Sequence, residues 1–98
     1  MAAVIVAGKV YVDPAQRDRF VEAHRVIVER AREYPGCLDV SIAADSVEPG
    51  RVNLFEYWDS HATLNAWRAI APAPSERIEM LDGQVLKHEV SNTRGPFD

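Results

Sequence analysis

Turn-forming residues cut this chain into alternating strand-like and helix-like pieces, and their placement leaves few folds open. Val4 to Val12 is a β-branched run stopped by Asp13-Pro14. Aspartate caps a helix and proline suits its first turn, so a helix should start there at once. Phe20, Ala23, Ile27 and Ala31 then recur at helical spacing, with Glu22, Arg25, Glu29 and Arg32 on the wet side. Tyr34-Pro35-Gly36 ends that helix, and Cys37 to Ala44 follows as a strand with Leu38, Val40 and Ile42 on one face. Ser46 to Gly50 is a turn, Val52 to Trp58 a third strand, and Ser60 caps a second helix running to about Ile70. Ala71-Pro72-Ala73-Pro74-Ser75 forces a loop. A short helical turn over Glu76 to Leu81 and a last strand over Gln84 to Ser91 complete the order, leaving an irregular tail at Asn92 to Asp98.

The order is β-α-β-β-α-β, which predicts an α+β fold: a ferredoxin-like antiparallel sheet with its helices on one face. With 98 residues there is room for one domain and one core. Two helices cover only one side of such a sheet. The first strand is nevertheless apolar on both sides, with Val4, Val6, Val10 and Val12 on one and Ile5, Ala7 and Tyr11 on the other. The third strand repeats this, Val52, Leu54 and Trp58 opposing Phe55 and Tyr57. An apolar face without helices calls for a second sheet, so the pattern predicts a homodimer joined face to face.

Composition excludes several classes of function. Eleven basic residues against fifteen acidic ones give a formal charge of −4. Lysine occurs only at Lys9 and Lys87, so the dense positive surface that tracks nucleic-acid phosphates is missing. No apolar run has the length of a membrane span, and the apolar start lacks a basic leader, which predicts a cytoplasmic protein with no membrane role. One cysteine, Cys37, forms no internal disulfide. Metal-ligand spacing, a phosphate-cradling glycine loop and a nucleophile elbow are absent from the sequence, and no cofactor is expected.

The run Glu33-Tyr34-Pro35-Gly36-Cys37-Leu38, and Glu56-Tyr57-Trp58-Asp59-Ser60 followed by Leu64, resemble the antibiotic biosynthesis monooxygenase family of dimeric α+β barrels. The resemblance spans roughly Val4 to Val90. It implies a ferredoxin-like dimer and a cleft between sheet and helices for a small aromatic substrate, a quinol or a polyketide anthrone. It further implies oxygenation without metal or flavin, in which the ionised substrate itself supplies electrons to dioxygen. The protein's share would be to remove a proton, hold the anion and exclude water. Where many members carry histidine this chain has Trp67, whose indole N–H donates but cannot accept a proton. The same tryptophan invites comparison with haem-degrading relatives. Their histidine ligand and their first-strand asparagine, however, correspond here to Arg77 and Gly8. A non-catalytic ligand-binding or stress-related module of the same fold is the alternative.

The candidate site residues follow. His24 stands four residues after Phe20, at the edge of the apolar stripe; it is either an edge histidine or the catalytic base. Trp67, Tyr57, His88 and Glu56 are the candidate substrate-binding residues. Glu56 lies among hydrophobes, which asks for a pairing partner or a perturbed acid. Trp67 belongs to a buried stripe with Leu64 and Ala71. His88, near Leu86 and Val90, fits a sheet contact, a dimer contact or a pocket donor. His61, in the first turn of its helix, and Cys37, in the Pro-Gly-Cys turn, read as surface and small-core residues respectively.

Overall fold

The computed structural model describes residues 2–98. Four antiparallel strands, β1 (Val4–Tyr11), β2 (Cys37–Ala44), β3 (Arg51–Trp58) and β4 (Asp82–Glu89), form one sheet in the order β2-β3-β1-β4. Three helices accompany it: α1 (Arg17–Ala23), α2 (Arg25–Glu33) and α3 (His61–Ile70). The split β-α-β plan expected from the breaks is therefore the architecture found.

Register fixes which side chains share a face, because partners directly opposite in antiparallel strands point the same way. Val4 pairs with Trp58 and Glu89, Val6 with Glu56 and Lys87, and Val10 with Val52 and Gly83. These rows face the helices. Ile5, Tyr57 and His88 make one row of the opposite face, and Ala7, Phe55 and Leu86 the next.

The core splits into two clusters along β1. Val4, Val6, Ala31, Val40, Trp58, Leu64 and Trp67 form one, and Val10, Val12, Phe20 and Val52 the other. The expected helical stripe is buried at Phe20, Ala23 and Ala31. Helices α1 and α2 lie over β2 while α3 lies over β3, so β4 is exposed along its whole length.

Five local expectations need correction. The first helix is not continuous: Pro14–Gln16 forms a 3₁₀ turn, and the α-helix breaks between Ala23 and Arg25. Residues 76–81 are not helical. They run as an irregular segment whose end is tied into the sheet by Leu81 N–H donating to the Tyr11 carbonyl at 2.8 Å. The last strand accordingly begins earlier, at Asp82, and ends at Glu89. Leu38 does not share a buried face with Val40 and Ile42, because a bulge between Cys37 and Asp39 leaves it unpaired and 53% exposed. Ala71 lies just past the end of α3 and is exposed.

The β2–β3 turn is built around Asp45. Its carboxylate accepts from Glu48 N–H at 2.8 Å, Asn53 Nδ2 at 2.9 Å and Val47 N–H at 3.0 Å. Arg17 closes the turn from α1 by donating to the Asp45 and Glu48 carbonyls. The backbone N–H of Glu48 first, then the Asn53 amide and the Val47 N–H, hold the Asp45 carboxyl down at about 2. A depressed carboxyl stabilises the fold above its unfolded value, and that contribution disappears as pH falls through the folded one. Wild type is therefore expected to exceed Asp45→Asn in urea midpoint at pH 7. The gap should close progressively below the ordinary carboxylate range, and a gap independent of pH would contradict it.

Candidate functional site

A side chain, not a proline or glycine, breaks the first helix. His24 Nδ1 lies 2.7 Å from the Phe20 carbonyl oxygen, the group that the His24 backbone N–H would bond in an unbroken helix. The His24 N–H turns instead to Val21 O at 3.1 Å, one residue closer, as in a 3₁₀ turn. His24 thereby adopts φ −98°, ψ −2°, in the bridge region between helix and strand.

The break also recruits the segment before β4. The Ala23 carbonyl, just ahead of the kink, accepts from Ser75 N–H at 3.0 Å, and Arg19 pairs with Glu76. These ties lay residues 74–80 alongside α1. Between them runs a groove of about 350 Å³ lined by Phe20, His24, Pro74, Ile78 and Met80, with Arg77 and two glutamates, Glu76 and Glu79, completing the wall. The Phe20 ring backs the His24 imidazole at a centroid distance of 4.3 Å.

This arrangement assigns the two imidazole nitrogens different tasks. A carbonyl oxygen only accepts, so Nδ1 must carry a hydrogen, and in the neutral ring Nε2 keeps its lone pair. The bond to Phe20 fixes both tautomer and ring orientation, as an orienting partner does for a general base. Among the described residues Arg77 makes no ion pair, so its guanidinium remains available as a donor to an anion in the same groove. A proton acceptor, a cation and an apolar surface thus share one concavity.

The other candidate residues do not join them. Glu56 and Trp67 lie with the other core cluster. Glu56 Oε1 accepts from Trp58 Nε1 at 3.0 Å, so its partner is an indole rather than an arginine. Trp67, only 6% exposed, stacks on Trp58 at 6.1 Å and meets Tyr34 at 5.6 Å. Tyr57 and His88 occupy the sheet face that carries no helix, two strands apart in one row with Ile5 between them. A single cleft between sheet and helices containing all five candidates is thereby corrected: strand alternation puts Tyr57 and His88 on the far side. Tyr57 instead packs edge-on against Phe55 at 6.3 Å.

His61 is exposed, its Nδ1 2.9 Å from Lys87 Nζ. The Cys37 thiol is pushed up by its partial burial and by the nearby Asp39 and Glu56 carboxylates, which keeps it protonated and poorly nucleophilic. Sequence reasoning missed Met80 and Ile78 as groove residues. The sequence favours a helical turn there, and the alternating prolines Pro72 and Pro74 mark only the loop that precedes it.

Comparison with known proteins bears on the fold and the family. The family model for antibiotic biosynthesis monooxygenase matches residues 3–71. An uncharacterised protein from Synechocystis is 31% identical over 62 residues, covering 63% of this chain; the match spans only 42% of that relative's length. Among solved structures, a protein of Nitrosomonas europaea proposed to be an antibiotic biosynthesis monooxygenase superposes with a TM-score of 0.71. It has 18% identity, over 95% of this chain and 94% of that one. A possible oxidoreductase of unknown function from Bacteroides thetaiotaomicron gives a TM-score of 0.72 at 15% identity, over 91% and 98% of the two chains. The haem-degrader MhuD from Mycobacterium tuberculosis, solved with two haems in its active site, gives 0.66 at 16% identity, over 94% and 99%. Identities this low establish a shared fold and nothing finer.

Proposed function

The chain belongs to the antibiotic biosynthesis monooxygenase family, and from that premise we propose that it oxygenates a small aromatic, a quinol or a polyketide-type anthrone, in the groove at His24. Family membership by itself supports only a monooxygenase-like or small-molecule-binding role. The observation that carries the finer reading is the bond from His24 Nδ1 to the Phe20 carbonyl, which leaves Nε2 as a proton acceptor beside an apolar wall.

In this reading His24 removes a proton from the phenol or the acidic methylene, and Arg77 balances the negative charge left on the substrate oxygen. Phe20, Ile78 and Met80 receive the ring. The carbanion-like anion then passes electrons to dioxygen. For an anthrone, the methylene carbon gains one oxygen atom as a carbonyl, and its two hydrogens leave with the second as water. The substrate supplies all four electrons, so no resident redox group is needed. Trp67 and Glu56 serve as framework at the other core cluster and keep α3 seated.

Haem chemistry does not fit the residues at the two places that the related degraders use. Arg77 has no lone pair for iron. Gly8 has no room for a side chain: a Cβ there would overlap the Gln84 carbonyl oxygen and come within 2.7 Å of Val85 Cα.

Oxygen uptake in metal-free, flavin-free buffer with a panel of quinols and anthrones tests the proposal. Turnover with at least one of them is expected. Binding of the panel without oxygen consumption would instead establish the non-catalytic ligand-binding reading.

The same reading includes a homodimer through the uncovered sheet face, where Ile5, Ala7, Phe55, Tyr57 and Leu86 lie together. A patch of this kind is rarely left in water. Sedimentation velocity should give twice the 10.9 kDa chain mass, and Phe55→Glu should shift it toward a single chain. A single-chain mass at every concentration would remove the dimer. Among the described residues no helix is long and apolar enough to cross a membrane.

A further inference from the structure

The chain holds three sulfur atoms, in Met1, Cys37 and Met80. Cys37 is a poor target for oxidants, because partial burial and the nearby Asp39 and Glu56 carboxylates keep its thiol protonated. Met1 lies outside the described residues. Met80 differs from both: it is 59% exposed and stands in the wall of the groove at His24. That groove lies on the helix side of the sheet, away from the face proposed for the dimer.

A thioether needs no deprotonation to be oxidised. Its sulfur lone pair attacks one oxygen of hydrogen peroxide, the O–O bond breaks, and the second oxygen departs as water with both hydrogens. The sulfur loses two electrons to the peroxide and keeps one oxygen as a sulfoxide. This turns a flexible apolar side chain into a polar hydrogen-bond acceptor. Phe20 and Ile78, the other apolar members of the wall beside Pro74, undergo no such change. Arg77 lines the same groove and makes no ion pair among the described residues, so its guanidinium can donate to a sulfoxide oxygen. One added oxygen thus removes an apolar contact and engages the free cation together.

We propose that Met80 is a reversible oxidation site whose sulfoxide closes the His24 groove to aromatic ligands. The source of the oxidant rests on the oxygenation reading above. A quinol that passes two electrons and two protons to dioxygen without taking up oxygen leaves as a quinone, and hydrogen peroxide is released beside Met80. Turnover that misses its product thereby silences its own groove. Methionine sulfoxide reductase, spending a dithiol, returns the thioether and reopens it.

Hydrogen peroxide added to the full chain, with 2-naphthol as the aromatic probe, tests the proposal without any turnover. Mass measurement of the tryptic peptide Ile78–Lys87, which holds Met80 and no other sulfur, follows the oxidation. Amide chemical shifts at Phe20, His24 and Ile78 follow the binding. Naphthol affinity should fall about five- to tenfold in step with the oxygen gained by that peptide, and methionine sulfoxide reductase should restore it. Met80→Leu should bind equally before and after peroxide, while Cys37→Ser should respond as wild type does. The assignment is overturned if the peptide is fully oxidised while affinity holds, or if Met80→Leu loses affinity on the same treatment. It also falls if naphthol never shifts the groove amides. Absence of oxygen uptake with the quinol panel is a separate result: it removes turnover as the peroxide source and leaves the response of Met80 to added peroxide intact.

Discussion

Trp58→Ala is expected to cost about 3–5 kcal/mol of folding stability, as large aromatic-to-alanine changes in closed cores do. Trp58 is fully buried, at 0% exposure, and it is the keystone of an aromatic group: Trp67 stacks on it at 6.1 Å and Tyr34 meets it edge-on at 6.4 Å. Its removal opens a void lined by groups from β3, α3 and the end of α2, which cannot all collapse inward together. It also takes away the hydrogen-bond donor that satisfies Glu56. For a chain of this length the loss corresponds to a drop in melting temperature of roughly 12–40 °C. Trp58→Phe separates the two contributions. It keeps most of the ring volume but removes the Nε1–H, so it should cost about 1–3 kcal/mol from the unpaired carboxylate. Most of that cost should vanish in the double variant with Glu56→Leu, where no carboxylate remains to be satisfied. A double-mutant cycle on urea midpoints reads this directly. Additivity within error would mean that the indole–carboxylate bond contributes nothing beyond the packing of the ring.

How far the sequence reveals this molecule depends on whether a feature is set by local pattern or by pairing. Proline, glycine and capping residues punctuate the chain at Asp13-Pro14, Tyr34-Pro35-Gly36 and Asp59-Ser60, and strands and helices begin and end beside each of them. Those punctuations act on backbone dihedrals alone, so they can be read without knowing any neighbour. The kink at His24 cannot. It arises because an imidazole competes with its own main chain for the Phe20 carbonyl, a choice made by side-chain geometry that leaves the apolar spacing Phe20, Ala23, Ile27 intact. The strap of residues 74–80 is hidden for a related reason. Arg77, Ile78 and Met80 have ordinary helical propensity, and only their ties to Ala23, Arg19 and Tyr11 draw them out along α1 and β1.

The faces of β4 illustrate the same limit. Alternation tells that Leu86 and His88 point together, but which side they share is set by the register of β4 against β1. That register puts His88 in line with Ile5 and Tyr57, away from the helices. The motif around Glu56-Tyr57-Trp58 announced the family, yet it contributes framework, while the groove residues come from stretches that carry no motif at all.

His24→Ala should lower turnover with any accepted quinol or anthrone by about 10²–10⁴-fold, the range that a positioned general base supplies. The geometry specifies more than the loss itself. Because Nδ1 is spent on the Phe20 carbonyl, only Nε2 can receive the substrate proton, so a side chain at this position must offer an acceptor at the Nε2 place. Asparagine offers donors and an acceptor near the Nδ1 place and none near Nε2. His24→Asn should therefore be as inactive as alanine, although it can still bond the helix carbonyl and preserve the kink. Substrate binding should survive in both variants, since Phe20, Ile78 and Met80 form the apolar wall independently of the imidazole. Arg77→Gln should behave differently. It leaves proton abstraction in place but removes the charge that holds the anion, so its effect should be greatest for the least acidic phenols in the panel and small for those that arrive ionised. Oxygen-electrode rates for the three variants across phenols of graded acidity decide the matter. If His24→Asn keeps wild-type rates, Nε2 is not the base and the groove only binds. If Arg77→Gln slows every substrate equally, the guanidinium orients the ring rather than stabilising its charge.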